Sequence, residues 1–214
     1  MDAPRPAATL ILAREGPRGV EVLVERRSEE SRFAAGFVVF PGGVSDPGDG
    51  DLAESLWGDP AEALRACALR ELAEETSLAI TGRGVEPAEA ALAALRADPP
   101  PHDSLPEIAR WIAPEFLEVR FDAVFFAAAA ARGVEPRPDG VEISDAWWTP
   151  PDDVVVASVR GDAQLMWPTL VTLEELASCR TVEEVLALRI EQVHPPEPGE
   201  QPRRGRWMRP EYRA

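Results

Sequence analysis

The chain has 214 residues, 45% of them hydrophobic, and a formal net charge of −16 at pH 7. This length suffices for one domain with a sizeable core, and the negative charge excludes the basic surface with which proteins bind nucleic-acid phosphates. The sequence shows no secretion signal and no apolar run of about 20 residues. We therefore expect a soluble, cytoplasmic protein with neither nucleic-acid nor membrane partners.

The first part of the chain predicts β-strands separated by turns. Apolar runs typical of strands lie at 9–13, 20–25 and 37–39. The third run leads into Phe-Pro-Gly-Gly at 40–43, a turn whose glycines let the backbone approach a ligand closely. The following segment, 45–59, is rich in Asp, Gly and Pro and has the composition of a surface loop.

A helix is predicted to begin near Pro60. Asp59 precedes it as an N-cap, and Glu62 follows as a capping-box acid. At about 100° per residue, the inward apolar stripe of this helix consists of Leu64, Cys67 and Ala68.

The same stripe ends on three acids, Glu71, Glu74 and Glu75. Carboxylates at these spacings are neighbours on a helix and repel one another, and near the helix C-terminus they also oppose the macrodipole. A solvated acidic face is the ordinary explanation of such a pattern. The inward direction of the stripe favours a hard divalent cation with oxygen ligands, most naturally Mg²⁺.

This spacing resembles the signature of Nudix hydrolases, G-x5-E-x7-R-E-U-x-E-E-x-G-U, in which U is aliphatic. Seven residues separate Glu62 from Arg70, the run 70–75 reads R-E-L-A-E-E, and Leu78 takes the last aliphatic position. The match, together with the preceding Phe-Pro-Gly-Gly, indicates membership of that family.

Two features depart from the signature. The distance from Gly43 to Glu62 is much longer than the signature allows, which makes 45–59 an insertion. Ser77 replaces the final glycine, a position that normally adopts a left-handed conformation at the helix end. The second departure affects turn strain more than chemistry.

The resemblance implies an α/β fold, the Nudix-type α/β/α sandwich with a mixed β-sheet. We expect a single domain over 1–194, with insertions near 45–59 and 85–115, and a Pro/Arg-rich C-terminal tail over 195–214. The implied reaction is metal-assisted attack of water on a diphosphate, with Mg²⁺ as the cofactor and Mn²⁺ as a substitute.

The resemblance also implies roles for individual residues. The metal-ligand candidates are the backbone carbonyl of Gly42 and the side chains of Glu71, Glu74 and Glu75. Arg70 is expected to orient these acids by salt bridges. Glu62 is explained by its capping position.

A further acid, Glu142, lies shortly before Trp147 and Trp148, as a metal-binding or base-providing Glu does in many relatives. An ordinary acid after the turn at 138–140 is the alternative. The general base is left open among Glu71, Glu75 and Glu142.

The remaining elements follow in chain order. Helical patterns lie at 87–96 and 106–111, and strand patterns at 117–120, 123–129 and 141–148. Two C-terminal helices are predicted from capping boxes that begin at Thr172 and Thr181.

The segment 27–46 resembles the coenzyme A diphosphatase motif, R-S-x-x-L-R-x-H-x-G-x-V-x-F-P-G-G-x-x-D. Ser31 replaces its Leu and Ala34 replaces its His. The long insertion and the segments 111–114 and 120–126 are similar to the acyl-coenzyme A diphosphatases of peroxisomes. Both likenesses favour coenzyme A or an acyl derivative as substrate.

Three arginines are candidate phosphate or pocket contacts, namely Arg27, Arg32 and Arg120. All 22 basic residues of the chain are Arg, so Arg abundance is a weak indication of a phosphate site, and surface ion pairs are the alternative explanation.

Other functions stay open. A Nudix hydrolase could act on ADP-ribose, dinucleotides or nucleoside triphosphates, and a Nudix-fold module could bind a nucleotide without cleaving it. An acidic interaction domain is a third alternative. The expected partner is a small-molecule nucleoside diphosphate derivative, and a homodimer is compatible with the sequence.

Overall fold

The computed structural model describes residues 3–31, 33–115, 117 and 119–193. Arg32 and the predicted tail over 195–214 therefore lie outside the described residues. The strands are β1 (Arg5–Gly16), β2 (Gly19–Arg27), β3 (Val38–Val39), β4 (Gly42–Val44), β5 (Leu78–Thr81), β6 (Gly84–Pro87), β7 (Glu107–Ile112), β8 (Phe121–Ala129) and β9 (Ile143–Thr149).

The helices lie between and after these strands. They are α1 (Pro47–Trp57), α2 (Ala63–Thr76), α3 (Ala91–Ala97), α4 (Pro151–Arg160), α5 (Trp167–Leu176) and α6 (Val182–Leu186). No helix in the described part of the chain is long and apolar enough to span a membrane.

The main sheet is mixed. Its long strands follow the order β7, β8, β1, β2, β9, with β1 parallel to β8 and the other neighbours antiparallel. β5 and β6 form a separate hairpin. The predicted fold class, α/β with a mixed sheet, is confirmed.

A gap opens inside this sheet where β1 and β2 separate. Their ladder runs from Gly16 opposite Gly19 to Ala13 opposite Val22. Beyond it, β4 pairs with β1 and β3 pairs with β2, and the amide of Leu10 donates to the carbonyl of Pro41 at 2.8 Å. The Phe-Pro-Gly-Gly turn is therefore held between the two strands.

Alternate residues of the strands pack in two layers. On one face, Leu10 and Leu23 form a core with Leu69 and Leu72 of α2. On the other face, side chains such as Val24 form a second core with α4, α5 and α6. This arrangement is the predicted α/β/α sandwich, and it presses the last turns of α2 against the face that carries Leu23.

Several local predictions are wrong. Residues 106–111 are not helical, because 107–112 form β7 and satisfy their backbone groups in the ladder with β8. The described residues of 117–120 precede β8 and form no strand. The predicted surface loop at 45–59 contains α1, which Asp46 caps with a full capping box.

The C-terminal helices also differ from the prediction. α5 begins at Trp167, so Thr172 is buried inside the helix and caps nothing. Thr181 does cap α6, as predicted, since its hydroxyl accepts a hydrogen bond from the amide of Glu184. α4 has no counterpart in the sequence prediction.

Candidate active site

The acidic helix α2 is fixed at both ends. Asp59 caps a short 3-10 turn at 60–62, where its carboxylate accepts from the amide of Ala61 at 2.9 Å. At the other end, Ser77 adopts the left-handed conformation with φ 56°, and its amide donates to the carbonyl of Ala73 at 3.1 Å. The chain thus makes the turn that the family glycine would favour, at some cost in backbone strain.

The three acids of α2 differ in exposure. The Glu71 side chain is 15% exposed and that of Glu74 is 48% exposed, whereas Glu75 is only 4% exposed. The inward direction predicted from the stripe therefore describes Glu71 and Glu75, and Glu74 lies at the border with solvent.

The two glycines of the turn allow close contacts with these acids and with β1. The amide of Gly42 donates to Oε2 of Glu75 at 2.9 Å, and a Cβ at Gly42 would lie 2.5 Å from the backbone oxygen of Ala8. A Cβ at Gly43 would lie 2.4 Å from Oε1 of Glu71. Any side chain at either position would displace the strand or a carboxylate.

Arg70 holds the acids by ion pairs. Its Nε and Nη2 bind the carboxylate of Asp49 at 2.7 and 3.1 Å, and its Nη1 lies 2.8 Å from Glu71 and 3.0 Å from Glu74. This geometry agrees with the orienting role expected of Arg70. Asp49, a fully buried residue of α1, was missed by the sequence reasoning because its segment was interpreted as a loop.

A fifth acid near the site, Glu25, was also missed. It lies on β2 and is 0% exposed. No N–H or hydroxyl group of a described residue donates to its carboxylate, whose hydrogen-bond neighbour is the acid Glu75. Its position two residues after Leu23 places it on the face that α2 covers. Strand alternation through Leu23 was the signal that could have found it.

Burial changes the protonation of these acids. Burial, followed by the charge of Glu71, raises the pKa of Glu75 to about 8, and the amide of Gly42 only partly opposes this shift. Burial and the charge of Glu75 raise the pKa of Glu25 well above its ordinary value. Burial also raises the pKa of Glu71, although Arg70 opposes the effect. Negative charge at this place is therefore poorly compensated by the protein alone.

The donor set fits a hard divalent cation. All the side-chain groups that could bind a metal are carboxylates, and the buried carboxylate of Glu25 faces a second acid, Glu75, rather than a cation. Within the described ranges, no three acidic, Cys or His side chains are already gathered as a complete ligand set. This is compatible with Mg²⁺, which usually takes one or two carboxylates and completes its shell with water and substrate phosphates.

The predicted arginines differ in their relation to the cluster. The charge of Arg27 lowers the pKa of both Glu25 and Glu75, and its Nε donates to the carbonyl of Phe33 at 3.1 Å. Arg120 donates instead to the carbonyl of Ala113 at 3.2 Å, at the start of β8. Only Arg27 is thus placed by its charge beside the acids, and Arg32 is not described.

Glu142 lies on the exposed turn before β9. Its carbonyl accepts from the amide of Ser28 at 2.8 Å, and its own amide donates to Asp139. The charge of Asp139 helps to raise the pKa of Glu25. The turn therefore borders the acidic cluster, while the role of the Glu142 side chain stays a prediction.

Comparison with known proteins identifies the family. The sequence profile of the NUDIX domain matches residues 3–169. The chain belongs to the Nudix family. A crystal structure of a NUDIX hydrolase from Alicyclobacillus acidocaldarius is 33% identical and superimposes with a TM-score of 0.73, over 89% of this chain and 99% of that one. This Nudix protein is accordingly an enzyme, a diphosphatase of a family that generally uses divalent metal ions.

More distant structures share the Nudix fold. The NUDIX domain of Shewanella oneidensis NrtR, solved with ADP ribose, is 19% identical with a TM-score of 0.52, over 82% of this chain and 87% of that domain. The MutT NUDIX hydrolase of Burkholderia pseudomallei is 19% identical with a TM-score of 0.51, over 81% and 98%. No curated protein matches the sequence. The family prediction is confirmed, and the coenzyme A branch stays a prediction.

Proposed function

We propose that this Nudix hydrolase cleaves the diphosphate of coenzyme A or an acyl-coenzyme A, using a divalent cation. The products would be 3',5'-ADP and a phosphopantetheine derivative. The observation that carries the proposal is the buried carboxylate cluster of Glu25, Glu71 and Glu75 beside the Gly42–Gly43 turn. Such a cluster is costly unless a cation and an anionic substrate complete it.

The acids have different proposed roles because their surroundings differ. Glu75 is our first choice for the base that orients or deprotonates water, because it is buried and held by the Gly42 amide. Glu71 and Glu74, both paired with Arg70, suit metal ligation at the more open side of the cluster. At the buried side, the Glu75 oxygen that does not accept from the Gly42 amide suits it as well. A bound Mg²⁺ would neutralise phosphate oxygens and charge that develops on them. Arg27 is the best-placed candidate for a substrate phosphate.

The substrate assignment is supported by an apolar surface next to the segment that resembles the coenzyme A motif. Phe33 packs edge-on against Phe121, with ring centroids 5.5 Å apart. On or beside the connection from β7 to β8, exposed apolar side chains are Phe33, Ile112, Leu117 and Val119. A pantetheine or acyl chain could cover part of this surface, which a nucleoside triphosphate would leave exposed.

ADP-ribose is the principal alternative substrate within the same reaction class. The Shewanella NrtR domain was solved with it, although at 19% identity that likeness concerns the fold alone. A module that binds nucleotides without cleaving them is less well supported, because the complete acidic run of the signature is present at 70–75.

A substrate panel tests the proposal. The protein would be incubated with Mg²⁺ and with coenzyme A, an acyl-coenzyme A, ADP-ribose, a dinucleotide or a nucleoside triphosphate, and products would be separated by chromatography. We expect 3',5'-ADP from the first two, and none when EDTA is present. Hydrolysis of ADP-ribose with no hydrolysis of either coenzyme A compound would reject the substrate assignment.

The apolar surface gives a second test. Phe33→Ser should raise KM for an acyl-coenzyme A more than KM for coenzyme A. The matched control is Val159→Ser, an exposed apolar residue of α4 in the opposite layer. Equal effects of both variants, or equal effects on both substrates, would contradict acyl binding at this surface.

A further inference from the structure

The structure assigns Glu25 of β2 as a further ligand of the divalent cation, opposite the acids that α2 supplies. The inference rests on the proposed metal-dependent function, and extends it to a residue outside the signature at 62–78. Glu25 would bring a carboxylate from the sheet to a site otherwise built from a helix and a turn.

Glu25 is fixed in position by the strand that carries it. Its backbone pairs with Val39 of β3 on one side and with Ala146 of β9 on the other. A strand held on both sides cannot rotate the residue toward solvent, and the side chain is 0% exposed. Glu25 therefore stays under α2 whether or not a ligand is present.

The negative charge of the buried Glu25 carboxylate is poorly compensated by the protein. No N–H or hydroxyl group of a described residue donates to either oxygen of Glu25. Its hydrogen-bond neighbour is the carboxyl group of Glu75, a second acid that can bind it only by sharing a proton. The cation whose charge reaches it, Arg27, donates its Nε to the carbonyl of Phe33. A buried carboxylate retained only for packing would be replaced at a gain in stability by an apolar side chain of similar volume. Its presence points to a ligand that is itself positive.

The carboxyl groups of Glu25 and Glu75 meet at one place although they come from different elements. The carboxyl groups of Glu75, on α2, and of Glu25, on β2, lie in hydrogen-bond contact with each other. Two hard oxygen donors from separate, rigid elements are a suitable start for a Mg²⁺ or Mn²⁺ shell. Sharing of a proton between the two carboxyl groups, with no cation involved, is the competing explanation and is an outcome of the test.

The test measures Mn²⁺ binding, by electron paramagnetic resonance and calorimetry, rather than activity. The variants are Glu25→Met, which keeps the volume without the charge, and Glu75→Gln as a positive control. Glu174→Gln is the matched control, since Glu174 is also a buried acid, 3% exposed, but lies in α5 on the opposite side of the sheet.

We expect Glu25→Met to weaken Mn²⁺ binding at least tenfold and to lose most of the rise in Tm that Mn²⁺ causes in the wild type. Without metal, its Tm should equal or exceed that of the wild type, a combination that a purely structural role would not produce. Glu174→Gln should keep wild-type Mn²⁺ affinity. Unchanged Mn²⁺ affinity in Glu25→Met would overturn the inference and favour proton sharing.

Two further results keep the two proposals separable. If the wild type binds Mn²⁺ and Glu75→Gln weakens binding while Glu25→Met does not, only the assignment of Glu25 fails. If the wild type binds no Mn²⁺ and hydrolyses no diphosphate, the proposed function fails with it.

Should Glu25→Met not fold, the wild type can be cut oxidatively by Fe²⁺ with ascorbate. Cleavage of β2 near Glu25, as well as of α2, would support Glu25 as a ligand of the cation. The lack of any cleavage in β2 would refute that assignment.

Discussion

Glu75 is the most tightly constrained acid of the signature, and its replacement gives the most direct test of the chemistry. It is 4% exposed and accepts a hydrogen bond from the Gly42 amide at 2.9 Å. The amide oxygen of a Gln side chain can accept the same hydrogen bond. We therefore expect Glu75→Gln to fold normally but to lower kcat by roughly 100-fold or more, as for removal of a general base or its equivalent. Turnover of the best substrate from the panel measures the loss.

Two variants calibrate that loss. Glu74→Gln should reduce kcat less than Glu75→Gln, because Glu74 is 48% exposed and its charge is shared with Arg70. Glu54→Gln, an exposed acid of α1, should have no effect. Full turnover by Glu75→Gln would contradict the carboxylate mechanism.

The raised pKa of Glu75 also predicts how stability depends on pH in the metal-free protein. A carboxyl group with a folded pKa of about 8, against an ordinary value of 4.5, holds its proton more tightly when folded. Its contribution to stability is complete below the unfolded pKa and is lost as pH rises through the folded pKa. We expect the free energy of unfolding, measured with urea in EDTA, to fall between about pH 4.5 and 8.

Glu75→Gln should flatten part of this pH dependence, while Glu54→Gln should keep the wild-type slope. The pKa values of Glu25 and Glu71 are raised as well, so a residual slope of the same sign is expected. A wild-type stability that increased with pH over this range would contradict the assignment.

The sequence predicts some of these residues and not others for a physical reason. Glu71 and Glu75 could be found because helical periodicity is local and places them on the stripe that begins at Leu64. Glu25 and Asp49 meet the cluster only through the pairing of β2 and the packing of α1, which depend on distant parts of the chain. Pattern reasoning within one segment does not contain those contacts.

The contact between α1 and α2 is stabilised by Asp49 and Arg70. Burial alone would raise the pKa of Asp49, but the hydrogen bond from Arg70 holds that pKa below its ordinary value. Replacement of Asp49 by Asn would leave the guanidinium of Arg70, whose side chain is 16% exposed, with fewer negative partners. We expect Asp49→Asn to lower the free energy of unfolding by about 2 kcal/mol, less than for a fully orphaned charge because Glu71 and Glu74 remain.

Urea unfolding measures that difference, and Asp51→Asn, an exposed acid on the same helix, is the control. A double-mutant cycle with Arg70→Gln isolates the coupling of the pair. Additive effects of the two substitutions would show that the ion pair contributes nothing to the docking of α1 on α2.

The wrong predictions have different causes. The residues of β7 have a short, ambiguous apolar pattern, and the ladder with β8 decides their conformation. α1 was hidden by its glycines at 48 and 50, although Asp46 and Asp49 form a capping box that could have revealed it. Thr172 has the spacing of a cap but follows helical residues that begin at Trp167. Tertiary context thus overrode local propensity in β7, whereas the errors at α1 and Thr172 are misassigned local signals.

The sandwich as a whole joins these elements at one place. The gap between β1 and β2 holds the Gly42–Gly43 turn. The helices α1 and α2 pack over this part of the sheet and bring their acids to the turn, and Glu25 adds a carboxylate from the sheet itself. Helices, sheet and turn each contribute to a site that none of them contains alone. Binding of a cation there should therefore stabilise the entire fold and not only α2.

This coupling predicts the thermal response of the whole protein. Mg²⁺ at about 100 times its Kd should add about 2.7 kcal/mol of stability, which for a chain of this size is a rise in Tm of roughly 5–10 °C. Because the net charge is −16, simple screening by salt also relieves self-repulsion. The control is therefore NaCl at matched ionic strength, which should raise Tm much less. A NaCl effect equal to that of Mg²⁺ would mean that screening, and not a bound cation, accounts for the stabilisation.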